Sequence, residues 1–574
     1  MIVQELRLIQ ERHGYLPAEE LRALSKRTGV PLHRLHEVAS FFPHYRLQPG
    51  PAVDVKVCRD MACFLRRSPQ LHRALEARAN EMGGAVAVEG VSCLGQCDHA
   101  PAVAINDHVY WGMPESKLRA IMEAAAAKEP LPPQHADRSP QGWKIDVYDG
   151  KPAYTVVKQF VETRDGDRIL RELEAANLRG MGGAGFPTFK KWAAVRATPG
   201  AEKYIVCNGD ESEPGTFKDR ELLRRTPHLV IEGMVLAGLV TGATRGWIYI
   251  RHEFEEEIEA VEEGIRQARE MGVVGPNVLG SGLAFELEVY VSPGGYICGE
   301  ETALLEAMED HRAEPRNKPP FPTTNGLFNK PTVINNVETL SWVPAIVLRG
   351  GAWYRDQGTN GATGLRFVSI SGDVNRPGVY EVPFGQTVRE LVMDTAGGMR
   401  DGQRLAAIAP SGPSGGFLPA VLKAENLPAK FVKDRLPAGA TTYDVLDLPL
   451  DLGTLGAIGS MLGAAFVVVG DRTPIVEMAL NCVRFFKNES CGKCVPCRVG
   501  SQKLTGMIEQ MLNGQFPREL LGLVDELATA MYSTSICGLG QVAANPMTSV
   551  LRHFRGDLEK YLETTPAKQP AGKK

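Results

Sequence analysis

Apolar residues recur at helical spacing through the first 46 positions. Leu6, Ile9, Leu16, Leu21, Leu24, Leu32, Leu35 and Val38 share this pattern, and Gly14 and Gly29–Val30–Pro31 cut it into short helices. Over 50–128 the pattern turns mixed. Val53–Val57 alternates as a strand, Ser68–Met82 reads as a helix, Val86–Val91 and Ala102–Ile105 as strands, and Pro114–Lys128 as a helix. Residues 129–143, EPLPPQHADRSPQGW, are proline-rich and polar, which predicts a linker. The largest block, 144–354, predicts a helix over Gly166–Leu178, strands at Tyr204–Cys207, Trp247–Arg251 and Phe285–Val291, and a Glu-rich helix over His252–Met271. Residues 365–450 form a smaller α+β module with strands Phe367–Ser371 and Gly378–Val382 and a helix Thr387–Ala396. It holds no cysteine and no group of functional side chains, so a packing or docking role is expected. Residues 472–557 are mainly helical, and a disordered tail is expected over 562–574. The whole reads as a multidomain α/β chain.

The length of 574 residues allows about four domains at ~150 residues each. A net charge of −4 gives no ground for broad nucleic-acid or membrane affinity. A helix-turn-helix DNA reader is the lookalike for the first 46 residues, but no basic stripe accompanies it. The opening MIVQELRLIQERHGYL lacks the basic and apolar regions of a secretory signal. The charge-free run Leu452–Gly470 approaches membrane-spanning length, yet its repeated glycines and terminal FVVV predict a buried loop and strand. The expectation is a cytoplasmic protein with no membrane insertion of its own.

Eleven cysteines change the picture. A disulfide-stapled secreted domain is small and loop-rich, so reduced, metal-binding thiols fit a chain of this size better. Cys58-x₄-Cys63 and Cys93-x₃-Cys97 each follow a predicted strand, so loops would carry them. Four thiolates there suit a [2Fe–2S] cluster or zinc. Cys491-x₂-Cys494-x₂-Cys497 with the distant Cys537 is the ligand arrangement of a [4Fe–4S] cluster.

Between the two sets lies GMGGAGFPTFKKW (180–192). Gly180, Gly182 and Gly185 satisfy G-x-G-x-x-G, and Gly183 adds a fourth glycine. Such a loop lets backbone N–H groups close on a phosphate, though it also makes an ordinary tight turn. A helix precedes it where a Rossmann fingerprint has a strand, which points to a variant phosphate site. Asp210, Glu211 and Glu213 crowd a strand-to-loop junction in NGDESEPGTFKDR (208–220). They read either as a solvated acidic turn or as acceptors for ribose, ribityl and ring N–H groups. A carboxylate beside the adenosine ribose also repels a 2′-phosphate and favours NAD over NADP. GGYICGEETALLEAMED (294–310) is a glycine turn opening a helix, with Tyr296 placed to pack on a ring and Glu300 and Glu301 in the first helical turn. In PRNKPPFPTTNGLFNKPTVINNVETL (315–340), Lys318 and Phe321 offer a clamp for a charged aromatic ligand, and Asn335 and Asn336 offer amides.

Together these stretches resemble the flavin-bearing, NADH-oxidising subunit of respiratory complex I, NAD-linked hydrogenases and formate dehydrogenases. The resemblance runs from Lys144 to about Arg555 and rests on RGMGGAGFPTFKKW, CNGDESEPGTFKDR, GGYICGEETALLE, KPPFPTTNGLFNKPTVINNVETL, ESCGKCVPCRVG and ICGLGQ. Residues 1–128 resemble its thioredoxin-like [2Fe–2S] partner subunit, here fused, and 365–450 is similar to a soluble-ligand-binding β-grasp domain. The implied architecture is an N-terminal helical segment (1–46), a thioredoxin-like ferredoxin domain (50–128), a Rossmann-like FMN domain (144–354), a β-grasp module (365–450) and a C-terminal helical [4Fe–4S] bundle (472–557).

The resemblance implies FMN held by the glycine loop (Gly180, Gly182, Gly183, Gly185), Lys191, Asn208, Asp210, Glu211, Tyr296, Gly299, Glu300, Asn335 and Asn336. It implies NADH contacted by Phe186, Glu213, Glu301, Lys318 and Phe321. It further implies direct hydride exchange between nicotinamide and flavin with no protein acid or base, and single electrons passed on through the clusters. Met181 stands where the family has arginine, and Phe189–Lys190 where it has Gly–Leu. The fused, complete [2Fe–2S] set favours, by analogy of architecture, the diaphorase subunit of a molybdenum or tungsten formate dehydrogenase. An NAD-reducing hydrogenase, complex I itself, electron bifurcation and a non-enzymatic redox sensor or relay scaffold are the alternatives.

Overall fold

A computed structural model describes residues 1–562 except 138, 140 and 201. The expected disordered tail therefore lies, apart from Leu562, outside the described residues.

The N-terminal helices run Ile2–His13, Ala18–Thr28 and Leu32–Phe41. Gly14 and Gly29, both at φ 75°, end the first two in the left-handed conformation that glycine reaches without a Cβ penalty. Their apolar faces do not form a separate core. Leu6, Leu21, Leu24 and Leu35 join Tyr290, Leu304 and Leu305 of the central domain in one cluster. Val3 N–H donates to Asp310 at 2.9 Å and the Tyr45 hydroxyl to the Val3 carbonyl at 2.6 Å.

The next domain carries a four-stranded sheet in the order Val86–Val91, Val53–Cys58, Ala102–Ile105, His108–Trp111. The first pair is parallel and the others antiparallel. The sequence pattern does not announce the last of these strands. The expected linker is irregular but tethered: the Gln134 amide pairs with the backbone of Trp111, and Glu256 accepts from Ala136.

The central domain is built on a wholly parallel sheet in the order Glu286–Ser292, Arg245–Arg251, Tyr204–Gly209, Thr332–Asn336. Chain order runs one way from Tyr204–Gly209 and then jumps to its other side. That reversal opens a crevice at the carboxyl ends of the strands, where open α/β sheets bind ligands. Two buried helices, Pro227–Thr241 and Val337–Arg349, pack closely. A Cβ on Gly233 would lie 2.2 Å from the Leu340 carbonyl oxygen, so only glycine permits that approach. The strand Thr332–Asn336 lies within the stretch 315–340, for which the sequence names amides at Asn335 and Asn336 but no strand, and the helix Val337–Arg349 begins there. The prolines of that stretch keep just the part before Pro322 irregular.

The β-grasp-like module forms a mixed five-stranded sheet in the order Gly378–Pro383, Leu365–Gly372, Ala465–Gly470, Leu405–Ser411, Leu418–Pro419. The helix expected over Thr387–Ala396 is present over 388–395, with Glu390–Thr395 wound wider than an α-helix. The charge-free run Leu452–Gly470 gives a short helix, Leu452–Ala457, and a buried strand, Ala465–Gly470. Among the described residues no helix is long and apolar enough to cross a membrane. Helices Ile475–Glu489, Val495–Leu512, Gly522–Thr534 and Asn545–His553 close the chain as a bundle.

Candidate functional site

The glycine loop lies between the helices Gly166–Ala175 and Thr188–Ala197, so a helix does precede it. Gly183 (φ 108°) and Gly185 (φ 63°) occupy backbone conformations that side chains disfavour. A Cβ on Gly182 would stand 3.2 Å from Cβ of Asn336, which fixes the loop over the end of the Thr332–Asn336 strand. The helix after the loop holds it there. Lys191 Nζ donates to the Ile334 carbonyl at 2.8 Å, and Trp192 Nε1 to Asn335 Oδ1 at 2.8 Å. Burial lowers the Lys191 pKa against the opposing pull of Glu301, 3.6 Å away. The departure Met181 keeps its backbone N–H on Thr339 Oγ1 at 2.9 Å, so that substitution leaves the loop anchored.

The other wall is the end of the Tyr204–Gly209 strand. Asn208 Nδ2 donates to the Gly299 carbonyl at 2.8 Å, joining this strand to the glycine turn before the Glu301–Met308 helix. Asp210 is held by Ser292 Oγ at 3.3 Å and by Ser212, and burial pushes its carboxyl up to about 7. Glu300 caps the Glu301–Met308 helix by accepting from Thr302 and Ala303 N–H, each at 2.9 Å. Lys318 Nζ bridges Glu300 at 3.0 Å and Glu301 at 2.8 Å. Phe186 and Phe321 are 50% and 54% exposed; apolar rings left open beside a polar crevice are free to stack on a ligand. Asn336 caps Val337–Arg349 by accepting from Glu338 N–H and also contacts Lys218 and Asp219.

Glu211 departs from the expected ligand-facing role. Its carboxylate accepts from Asp219 N–H at 2.8 Å and Arg220 N–H at 3.1 Å, capping the Lys218–Arg225 helix. Burial, with Asp219 adding to it, pushes its carboxyl up to about 8. Glu213 turns toward the β-grasp-like module, where it accepts from Ser414 N–H at 3.1 Å and Ser414 Oγ at 2.6 Å. Tyr296 also hydrogen-bonds to Glu213, and its ring packs edge-on against Phe485.

The two cysteine sets each converge. Cys58 contacts Cys63 and Cys93, and Cys93 Sγ lies 3.3 Å from Cys97 Sγ, with all four buried and free of disulfides. Loops supply only part of this set: Cys58 ends a strand and Cys63 lies in the short helix Met61–Leu65. Two N–H groups already point at sulfur, Gly95 to Cys93 at 3.4 Å and Gly215 to Cys97 at 3.3 Å. The Gly215 bond comes from the central domain, and Phe217 packs on Cys93 and Cys97. Arg251 ties the same contact by donating to the Cys93 carbonyl at 2.7 Å and the Glu211 carbonyl at 2.9 Å. Arg220 donates to the Gly95 carbonyl at 2.6 Å and to Asp98 at 2.9 Å.

Cys491, Cys494, Cys497 and Cys537 line one pocket with Ile297, Pro315 and Leu539. Burial pushes the Cys497 and Cys537 thiols up to about 11 and about 12, so a bare thiolate is disfavoured there. Iron supplies the positive charge that such a pocket lacks, and both sets fit thiolate-ligated clusters.

Arg251 and Ser414 lie outside every motif read from the sequence, and Arg220 and Glu489 sit at the edges of motifs with no role read for them. Each acts across a domain contact, and no local spacing reports it.

Fold and site define a nucleotide-binding electron-transfer protein with a flavin crevice flanked by two iron–sulfur centres. The chain belongs to the NADH-quinone oxidoreductase F-subunit family. Its matched regions are the Nuo51 FMN-binding domain over 173–345, the thioredoxin-like [2Fe-2S] ferredoxin over 1–126, the NADH-ubiquinone oxidoreductase-F iron-sulfur binding region over 477–561, and an SLBB domain over 367–418. The NADH-quinone oxidoreductase F-subunit 2 of Rhizobium meliloti is 39% identical over 425 residues, spanning 74% of this chain and 96% of that protein. The NADP-reducing hydrogenase subunit HndC of Solidesulfovibrio fructosivorans is 38% identical over 69% of this chain and 76% of its own. A chain of the NAD⁺-reducing [NiFe]-hydrogenase in the H₂-reduced state superposes with a TM-score of 0.85 at 32% identity, covering 97% of this chain and 92% of that one. The protein is thus an NAD-dependent oxidoreductase subunit of the FMN and iron–sulfur diaphorase type.

Proposed function

We propose that this chain is the NADH-oxidising subunit of a cytoplasmic, heteromeric formate dehydrogenase whose alpha subunit carries molybdenum or tungsten. The observation that carries the diaphorase part is the gathering of the glycine loop, Asn208, Asp210 and Asn336 at the sheet reversal, joined through Gly215 and Arg251 to a complete four-thiol site. In this reading Gly180, Gly182, Gly183 and Gly185 receive the FMN phosphate, with Lys191 beside it. Asn208, Asp210, Glu300, Asn335 and Asn336 fix the ribityl chain and ring, and the backbone of Glu211 and Gly299 closes the floor. Phe186, Phe321, Lys318, Glu301 and Glu213 orient the nicotinamide nucleotide, with Tyr296 buttressing Glu213. Cys58, Cys63, Cys93 and Cys97 ligate a [2Fe–2S] cluster, and Cys491, Cys494, Cys497 and Cys537 a [4Fe–4S] cluster. FMN, when bound, exchanges a hydride with the nicotinamide and single electrons with iron–sulfur centres. The protein's part is stacking, orientation and exclusion of water, and no side chain is required as acid or base.

The fused domain with all four thiols supports the formate assignment. A second reading, the diaphorase of an NAD-reducing hydrogenase, is favoured by the near full-length superposition on such an enzyme. Purification of the native complex separates them. Formate-dependent NAD⁺ reduction with molybdenum or tungsten bound upholds the first; H₂-dependent reduction with nickel bound upholds the second.

A further inference from the structure

Glu489 stands where three loops meet. It ends the helix Ile475–Glu489, two residues before Cys491. One carboxylate oxygen accepts from the hydroxyl of Ser92, the residue before Cys93. The other accepts from Tyr296 N–H at 2.8 Å, in the turn that borders the flavin crevice. A single carboxylate thus joins both cysteine sets and the flavin side of the central domain. The same helix makes a second tether to the first set: Asn481 accepts from Met61 N–H at 2.9 Å and donates to the Arg59 carbonyl at 2.8 Å.

Three nearby cations are committed elsewhere. Arg484 pairs with Glu509, Lys493 donates to the Pro315 carbonyl, and Arg251 pairs with Glu253 at 2.7 Å. Asp60, buried on the same side and close enough to feel Glu489, adds no positive charge. Neutral hydrogen-bond donors screen a carboxylate only in part and do not cancel its charge. Cluster potentials respond to net charge, hydrogen bonding and exposure around the sulfurs.

We propose that Glu489 is a positioning residue shared by the two clusters, whose negative charge holds both midpoint potentials down and whose bond to Ser92 fixes the [2Fe–2S] loop against the rest of the electron path. The proposal rests on the assignment of the two cysteine sets as cluster ligands. It does not depend on what reduces the flavin.

The test is a mediator-coupled EPR titration of the full chain loaded with FMN and both clusters, comparing wild type, Glu489→Gln, Glu489→Asp and Ser92→Ala. Dithionite sets the potential, so failure of NADH oxidation would show separately. Gln keeps both hydrogen bonds, accepting from Tyr296 N–H and donating to Ser92 Oγ, but removes the charge. Both midpoints then move positive together, and Asp, which restores the charge, returns them toward wild type. Ser92→Ala removes the hydroxyl that partly screens the carboxylate on the side of the first set. The [2Fe–2S] midpoint then moves negative while the [4Fe–4S] midpoint stays put. Unchanged midpoints in Glu489→Gln, or movement of one cluster alone, overturn the shared role. If Glu489→Gln fails to hold its clusters, Ser92→Ala decides, and an unmoved [2Fe–2S] midpoint there overturns the proposal.

Discussion

At the scale of single residues, the site is held by side chains that touch no expected ligand. Ser414 is the clearest case. Its hydroxyl and N–H hold the Glu213 carboxylate. Glu213 is half-buried, so bulk water replaces a lost donor only in part. Ser414→Ala is expected to weaken nucleotide binding by ~1 kcal/mol, roughly a five-fold rise in the KM for NADH, with kcat little changed. Ser414→Thr, which keeps the hydroxyl, should restore most of it in steady-state assays with ferricyanide as acceptor. Asp210 gives a pH prediction. Burial raises its pKa from an ordinary 3.8 to about 7, so the folded chain keeps a proton that the unfolded chain has lost. Its contribution is fully present below about pH 4, fades as pH rises, and is gone above about 7. At 1.36 kcal/mol per unit, the loss is up to ~4 kcal/mol. Asp210→Asn removes this titration. Thermal melts of the flavin-free, cluster-loaded variant should gain on wild type at pH 8 and show a smaller gain at pH 5.

At the scale of elements, one helix and one sheet reversal set the geometry. The helix Ile475–Glu489 reaches the first cysteine loop through Asn481 and the flavin-side turn through Glu489. Asn481→Ala cuts two hydrogen bonds to residues 59–61, a cost of about 1–3 kcal/mol. Hydrogen exchange should quicken over residues 59–65, which include the short helix Met61–Leu65, while the Val53–Cys58 strand stays protected. Strands with an alternating or continuous apolar run, such as Val53–Cys58 and Ala102–Ile105, are legible in the sequence, and so are both cysteine sets, because their signals are short-range. The helix before the glycine loop is legible too. The Thr332–Asn336 strand is not. It is short, polar at its end and preceded by prolines, and only pairing with Tyr204–Gly209 makes it a strand. The capping role of Glu211 is hidden for a similar reason: its partners lie eight and nine residues on, across a turn. The 365–450 module does more than its composition suggests. It packs, as expected, but it also sends Ser414 to the crevice, a contact spanning 201 positions in the chain.

At the scale of the whole molecule, the N-terminal domain is packed into the rest of the chain. Gly215 from the central domain donates to Cys97, and Arg251 holds Cys93 and Glu211 together. The N-terminal helices share an apolar core with the central domain. Such contacts favour a unit in which flavin and both clusters are set by one rigid body of packed domains. The central claim is that NADH reduces this chain directly through its own flavin. An anaerobic titration of the purified, FMN-loaded protein with NADH and then NADPH, read by absorbance and low-temperature EPR, tests it most directly. The account predicts flavin bleaching and a reduced [4Fe–4S] signal with NADH and little response to NADPH. Clusters that dithionite reduces but NADH leaves oxidised, with the flavin unbleached, would contradict it.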